Sequence, residues 1–398
     1  MLKMKSTTVG ALGDLFDGPH ATPTRRSDGP YFLNIASLKS GRLDLTESDH
    51  VSKEDFERWT RRVTPCAGDL LFSYETRLGE AALMPEGVTA CLGRRMALLR
   101  PDRSVVDPRF LLYFYLSPSF QRIIATNTIH GATVPRIGLS TMSQWEIEIP
   151  TLAEQQAIAE VLGALDEKIA TNSRTLHLCV ELCDAKFAHA VNGMHLGNKT
   201  FGEIAEVSGG GTPRTAVEEY WKGEILWATP TDVTGLAGPY LSSTSRMITQ
   251  AGLDSCASTL YPRGSILMTS RATIGAFAIA QSPVAVNQGF IVVNAKDPRY
   301  QLWLFHEMRA RVAEFVSHAN GATFLELSRG RFKQFRVRIP DVELVYSFSR
   351  EVEPLHALAS QMISESRKMA NVRDELLPLL VSGKVRVQDA VKVVEGVV

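Results

Sequence analysis

Apolar positions along this chain follow two periods in turn, and the whole sequence of patterns occurs twice. Residues 68–84, GDLLFSYETRLGEAALM, and residues 264–280, GSILMTSRATIGAFAIA, each read as an apolar run, a polar stretch and a second apolar run. Short apolar runs punctuated by Gly, Pro, Asn and Asp predict strands joined by turns. Asp107-Pro108 and Asp297-Pro298 then open helical stretches, with Asp as N-cap and Pro at the first helical position. After Ile149-Pro150 the period lengthens. Thr151-Leu-Ala-Glu154 has capping-box form, and apolar residues fall at Ile158, Leu162, Leu165, Ile169, Leu176, Val180, Cys183 and Phe187, with a polar break near Asn172. Asp341 caps a second such run, Phe348, Val352, Leu355, Ala359, Met362, Met369, Leu376 and Leu380, interrupted by Pro354. Each run spans roughly 60 Å if fully helical, and its narrow stripe calls for a partner helix.

These patterns divide the chain into a lobe at 1–150, a helical region at 151–195, a second lobe at 196–340 and a second helical region at 341–398. The lobes are copies. Asp107-Pro108-Arg109, Gly131-Ala132-Thr133, Ile149-Pro150 and Thr22-Pro23 all recur 190 residues later. Chance matches would scatter in offset, and a period this long means two copies of a whole domain rather than a solenoid. The expected fold is α+β: two tandem lobes of mixed or antiparallel sheet with short helices, joined by two long antiparallel, coiled-coil-like helices in a pseudo-two-fold arrangement.

Composition narrows the class. The 398 residues carry 43 Lys+Arg against 43 Asp+Glu and are 44% hydrophobic, as in globular proteins. No apolar stretch is long enough for a membrane span and no signal-peptide pattern opens the chain, so a cytoplasmic protein is expected. The charge is unevenly placed: the lobes are slightly positive, with 18 basic and 17 acidic groups in 1–150 and 15 and 11 in 196–340, while both helical regions are slightly negative. The five cysteines are scattered and odd in number, which excludes a disulfide framework. Cys179 and Cys183 lie one helical turn apart at apolar positions, near His177, without the second ligand pair of a closed zinc site, and so read as packing. No metal is expected.

No catalytic constellation is found. There is no phosphate-binding GxxxxGK[ST], since Gly383-Lys384 lacks the upstream glycine. Gly209-Gly210-Gly211 runs into Thr212-Pro213, which breaks the geometry of a dinucleotide site. Neither GxSxG nor HExxH occurs. The chain has no Pro-Pro dipeptide, which the Asn/Asp-Pro-Pro-aromatic motif of a DNA methyltransferase requires, and no PD…(D/E)xK arrangement of a nuclease. Binding is therefore expected rather than chemistry.

Several segments together resemble the specificity (S) subunits of type I restriction-modification systems. Ile149-Pro-Thr-Leu-Ala-Glu-Gln-Gln-Ala-Ile-Ala through Leu165-Asp-Glu-Lys-Ile169 is similar to that family's central helical segment. Gly210-Gly-Thr-Pro-Arg214, Tyr220-Trp221 and Ile225-Leu-Trp-Ala-Thr-Pro230 resemble the opening of a recognition domain, and Asn287-Gln-Gly-Phe290 and Leu376-Leu-Pro-Leu-Leu-Val-Ser-Gly-Lys384 are also similar to family signatures. Asp341-Val-Glu-Leu-Val-Tyr-Ser departs from the family's Leu-x-Glu-Gln-Gln run. The resemblance implies a subunit that reads double-stranded DNA and performs no chemistry. It implies two methyltransferase subunits that methylate adenine with S-adenosylmethionine, and in some systems two restriction subunits using ATP and magnesium. All these cofactors are expected on the partners, none on this chain. The target is expected to be bipartite, one half per lobe, with a spacer set by the helices.

Phosphate and base reading call for Arg, Lys, Asn, Gln and small polar donors at loop tips. The candidates are Tyr74 and Arg77 in the first copy, with Ser270, Arg271 and Thr273 in the second. His20, Thr22, Arg25 and Arg26 are matched with Thr212 and Arg214, and Arg94-Arg95 with Asn287-Gln288. A further patch joins Thr133 and Arg136 with Thr323, Arg329 and Arg331. Trp221 and Trp227 are expected in the core or at a lobe interface. Two other readings stay open: a duplicated scaffold that binds proteins, and a degenerate specificity subunit that assembles but specifies nothing.

Overall fold

The computed structural model describes residues 3–19, 21–131, 134–321 and 325–397. It forms two compact units, residues 1–169 with 367–398 and residues 170–366. The helical regions are thus shared between the units rather than forming a body of their own.

The first lobe holds a four-stranded antiparallel sheet in the order Gly13–Asp17, Met96–Pro101, Leu70–Ser73, Ala81–Leu83. Leu70 and Phe72 face a core with Phe110 and Tyr115 of the helix Pro108–Leu116, whereas Leu71 and Leu98 face a second core with Leu33 and Leu92. Side chains alternate across a strand, so a strand covered on both faces is apolar throughout, which is why Leu70-Leu-Phe72 shows no alternation. The second core is closed by the strands Asp49–His50, Arg26–Leu33 and Ala90–Leu92, with the last two parallel. The second lobe repeats this plan: Ala205–Ser208, Phe290–Ala295, Ile266–Thr269, Phe277–Ala280 and an added Tyr240–Leu241, backed by Arg246–Ile248, Trp221–Ala228 and Val284–Val286. Its Trp221–Ala228 strand is again parallel to its neighbour Val284–Val286.

Both Asp-Pro starts form. Asp107 accepts from the Phe110 amide at 2.9 Å. Asp297 accepts from the Arg299 amide at 3.1 Å and opens a 3-10 turn, Pro298–Tyr300, ahead of the helix Gln301–Arg309. The first helical stretch is broken once, where Ser117 ends Pro108–Leu116 and caps Pro118–Asn127.

The two long runs are single helices, Leu152–Ala190 (the central helix) and Val342–Val381 (the distal helix). Glu154 reaches back to the Thr151 amide at 3.0 Å, and Asp341 accepts from the Leu344 amide at 2.9 Å, so the atypical start of the distal helix is still capped. In the first unit Asp166 pairs with Arg373 at 2.6 Å; in the second, Asn172 meets Glu365 at 3.3 Å and Lys186 meets Glu351 at 2.5 Å. Numbers rise along one helix as they fall along the other, which makes the pairing antiparallel. The stripe residues also join the lobes: Ile158, Leu162, Leu165, Met369, Leu376 and Leu380 share the core of Phe110 and Tyr113, and Leu176, Cys183, Phe187, Phe348 and Val352 share that of Trp303 and Phe305. Partner helix and lobe are both covered by one face.

Two local features depart from the expected pattern. Pro354 does not interrupt the distal helix. It is exposed, and the burial of Val352, His356 and Ala359 around it offsets the roughly 3 kcal/mol that a mid-helix proline costs. Asn172 is buried, and its amide donates to Glu365, so the polar break in the stripe is a satisfied contact of the kind that fixes register between paired helices.

Asp166 ties three elements. Its carboxylate accepts from the Tyr113 hydroxyl at 2.6 Å and from Arg373. Burial, and then the Asp166 charge, push the Tyr113 hydroxyl pKa well above its ordinary value, so it stays a donor. Asp166→Ala is expected to destabilise the first unit by roughly 1–3 kcal/mol, read as a lower thermal midpoint; an unchanged midpoint would show that the network contributes nothing. Among the described residues no helix is long and apolar enough to cross a membrane.

Candidate nucleic-acid interface

In each lobe a polar turn links the strand Leu70–Ser73 or Ile266–Thr269 to its neighbour, and a common frame of backbone hydrogen bonds holds both turns. Tyr74 N donates to Arg95 O as Ser270 N donates to Gly289 O. Ile137 N donates to Tyr74 O as Leu327 N donates to Ser270 O, and Thr76 N to Pro135 O as Ala272 N to Leu325 O. Thr76 and Ala272 share a left-handed backbone, with φ of 70° and 59°, and Gly79 and Gly275 follow at 87° and 88°, a conformation that favours glycine. These matches make Glu75 the counterpart of Arg271, and Arg136 the counterpart of Glu326. Each pair faces across an antiparallel bridge. The frame is conserved between the copies and the charges on it are reversed.

In the second lobe the turn opens on a cleft of about 580 Å³. Ser270, Arg271, Gln288, Glu326, Arg329 and Lys333 line it. Arg271 and Glu326 pair at 2.8 Å with about half of each side chain exposed. The Thr212 hydroxyl donates to Gln288 Oε1 at 2.6 Å. Arg329 lies across Gly209, where an added Cβ would come within 2.9 Å of its Cδ. The glycine run is otherwise braced by the protein itself: the Tyr261 hydroxyl donates to Gly209 O and Trp227 Nε1 to Gly211 O. Thr212, Ser270, Arg271, Gln288 and Arg329, five residues proposed on sequence grounds, thus converge. Glu326 and Lys333 were missed, and the reversed charge at position 326 relative to Arg136 was the available signal.

The remaining candidates of the second lobe lie apart from the cleft lining. Asn287 turns inward and its Oδ1 accepts from the Gly289 amide at 2.8 Å. Thr273 is exposed beyond the turn, and Arg331 covers the Phe335 ring at 5.5 Å. Arg214 is exposed, with its carbonyl accepting from Trp221 Nε1. Trp227 is buried, but Trp221 is half-exposed, and Arg246, which drew no attention in the sequence, stacks on it at 3.5 Å.

In the first lobe Arg95, with φ of 72°, pairs with Glu75 at 3.2 Å and donates to Thr76 Oγ1 at 3.4 Å. Arg94 and Arg136 are exposed beside this group. Four expectations need correction. Tyr74 is buried in the lobe core and presents no surface to a ligand, because its side chain falls on the inward face of the strand end. Arg77 is a brace: it donates to Ile35 O at 2.8 Å and pairs with Glu80 at 3.2 Å. The pairing of Arg94-Arg95 with Asn287-Gln288 is shifted by one residue, since Leu92 and Val286 close equivalent strand pairs and so Arg94 matches Gln288. Arg25 and Arg26 are likewise not counterparts of Arg214. They stand at the start of Arg26–Leu33, whose equivalent strand starts at Trp221. Arg25 pairs with Asp49 at 3.0 Å, and Thr22 is exposed. His20, Thr133 and Thr323 lie outside the described residues.

The lobe is thus present twice, with one backbone frame and different side chains on its polar turn. A family model for the type I restriction modification DNA specificity domain matches residues 9–178 and again residues 196–344. The chain belongs to that family and carries its domain twice. It is 37% identical over 147 residues to the type I restriction enzyme MjaIX specificity subunit of Methanocaldococcus jannaschii, a match covering 36% of this chain and only about a third (34%) of that relative. With the putative type I restriction enzyme MjaX specificity subunit of the same organism it shares 20% identity over 404 residues, covering 94% of this chain and 91% of the relative. The crystal structure of the type I restriction-modification system S subunit from M. genitalium has the same fold, with a TM-score of 0.61 at 16% identity and 96% of each chain covered.

Proposed function

We propose that this chain is the DNA-reading subunit of a type I restriction-modification assembly, each lobe reading one half of a bipartite target in double-stranded DNA. The observation that carries this reading is the pair of matched turns with inverted charges, Glu75 and Arg136 against Arg271 and Glu326. The half-exposed Arg271–Glu326 pair adds about 0–1 kcal/mol, and Glu75 pairs with Arg95 rather than with Arg136 across its bridge, so stability does not dictate which sign each of these positions carries. Recognition of different half-sites does. Arg271, Gln288, Arg329 and Lys333 are the phosphate- and base-reading side chains of the second lobe; Arg94, Arg95 and Arg136 serve the first.

The chain itself supplies no catalysis. Two methyltransferase subunits holding S-adenosylmethionine methylate adenine at the target it selects, and two restriction subunits using ATP and magnesium join where cleavage occurs. The assembly works in the cytoplasm. Adenine-methylation maps of cells carrying the methyltransferase partner, with and without this chain, test the reading. One bipartite motif should vanish with the chain; an unchanged map would favour a scaffold or a degenerate subunit.

A further inference from the structure

The core of the second unit contains a group of polar side chains that DNA reading does not use. Cys183 of the central helix, His306 of the helix Gln301–Arg309 and His356 of the distal helix are all buried, and their donor atoms lie within 4.8 Å of one another. They sit among Phe187, Phe305 and Phe348. We propose that Cys183 Sγ, His306 Nε2 and His356 Nε2 bind a zinc ion, or another divalent metal of the same borderline class, which clamps the two long helices to the second lobe.

The outer shell supports this assignment. A metal-bound imidazole needs its other ring nitrogen held by an acceptor, which fixes the ring and raises its basicity. His306 Nδ1 lies 2.8 Å from Asp184 Oδ1, and His356 Nδ1 lies 2.7 Å from the Tyr240 hydroxyl. Asp184 is in turn gripped by Arg309 at 2.6 Å. Both inner nitrogens are thereby turned toward each other, 2.9 Å apart. Without metal, the Asp184 contact puts the His306 proton on Nδ1, and His356 Nε2–H donates to His306 Nε2. On binding, the Cys183 thiol proton leaves to solvent and the His356 proton shifts to Nδ1, where Tyr240 Oη accepts it.

Zinc–nitrogen bonds of about 2.0–2.1 Å and a zinc–sulfur bond of about 2.3 Å at tetrahedral angles put the two nitrogens about 3.3 Å apart and the sulfur about 3.6 Å from each. Binding therefore parts the facing imidazole nitrogens by a few tenths of an ångström, turns both rings toward a common point and draws the Cys183 sulfur inward. Three protein ligands leave one tetrahedral position for water. The donor set of imidazole and thiolate suits zinc over magnesium or calcium, which prefer oxygen.

The test uses the full chain. Purified from zinc-supplemented cells and desalted, it should hold about one zinc ion per chain. Cobalt reconstitution should give the intense visible bands of a tetrahedral site and a thiolate charge-transfer band. Cys183→Ser should abolish the charge-transfer band, whereas Cys179→Ser, one turn away but outside the donor cluster, should keep it. Chelation should lower the thermal midpoint of the wild-type chain. A desalted chain that is metal-free, takes up no cobalt in this form and melts identically with chelator would overturn the site, as would equal loss of the band in both cysteine variants. DNA reading is untouched by either failure, since no cleft residue is involved.

Discussion

Glu307→Ala is expected to cost the second unit about 3–5 kcal/mol, with a matching fall in its denaturation midpoint. Glu307 is fully buried, and its carboxylate accepts from Arg311 Nη1 at 2.9 Å, from Arg338 Nε at 2.9 Å and from the Arg338 amide at 3.3 Å. Arg311 is also buried and reaches Glu314 at 2.8 Å and the Arg336 carbonyl at 2.6 Å. The cluster pins the strand-like segment that leads into the distal helix, where Trp303 Nε1 also donates to Arg338 O at 2.7 Å. Removing the carboxylate leaves the Arg338 guanidinium without its partner and Arg311 with Glu314 alone, both in low dielectric, which is far costlier than losing an exposed pair. Glu307→Gln keeps part of the hydrogen bonding and should fall between the alanine variant and wild type. A midpoint within about 0.5 kcal/mol of wild type, the range of ordinary surface substitutions, would show that water already shares these charges.

The second large effect concerns recognition with little effect on folding. Arg271→Ala with Arg329→Ala should leave stability within about 1 kcal/mol, because the Arg271–Glu326 pair is half-exposed and Arg329 lies on the surface. On the proposed function, with a bidentate base contact at each arginine worth roughly 1–3 kcal/mol, the double variant assembled with methyltransferase subunits should lose at least about thirtyfold in affinity for target DNA. A residue that touches only phosphate instead weakens target and non-target DNA alike and flattens the salt dependence. Competition between the two DNAs therefore sorts these arginines by role. Unaltered affinity at low and high salt would remove the cleft from the interface.

Much of this architecture is legible in the amino-acid order. The four-and-three spacing from Ile158 to Phe187 places those residues against the partner helix and lobe, because a helix period maps directly onto one face. The common offset of the Asp-Pro-Arg and Ile-Pro motifs marks the duplication, since copied domains keep their length. What stays hidden depends on partners distant in sequence. Tyr74 has the composition of a loop tip yet ends a buried strand. Arg77 has the chemistry of a DNA contact but is occupied by Ile35 and Glu80. The one-residue shift that sets Arg94 against Gln288 shows only in strand register. Cys183, His306 and His356 come from three separate helices, and no local spacing rule joins them.

The most direct measurement is a genome-wide adenine-methylation map of cells carrying the partner methyltransferase with, in turn, the wild-type chain, the Arg271→Ala/Arg329→Ala variant and Arg94→Ala. If each lobe reads its own half-site, the second-lobe variant relaxes one half of the motif and leaves the other intact, and Arg94→Ala does the reverse. Equal relaxation of both halves by either variant, or a motif identical in all three strains, would contradict it.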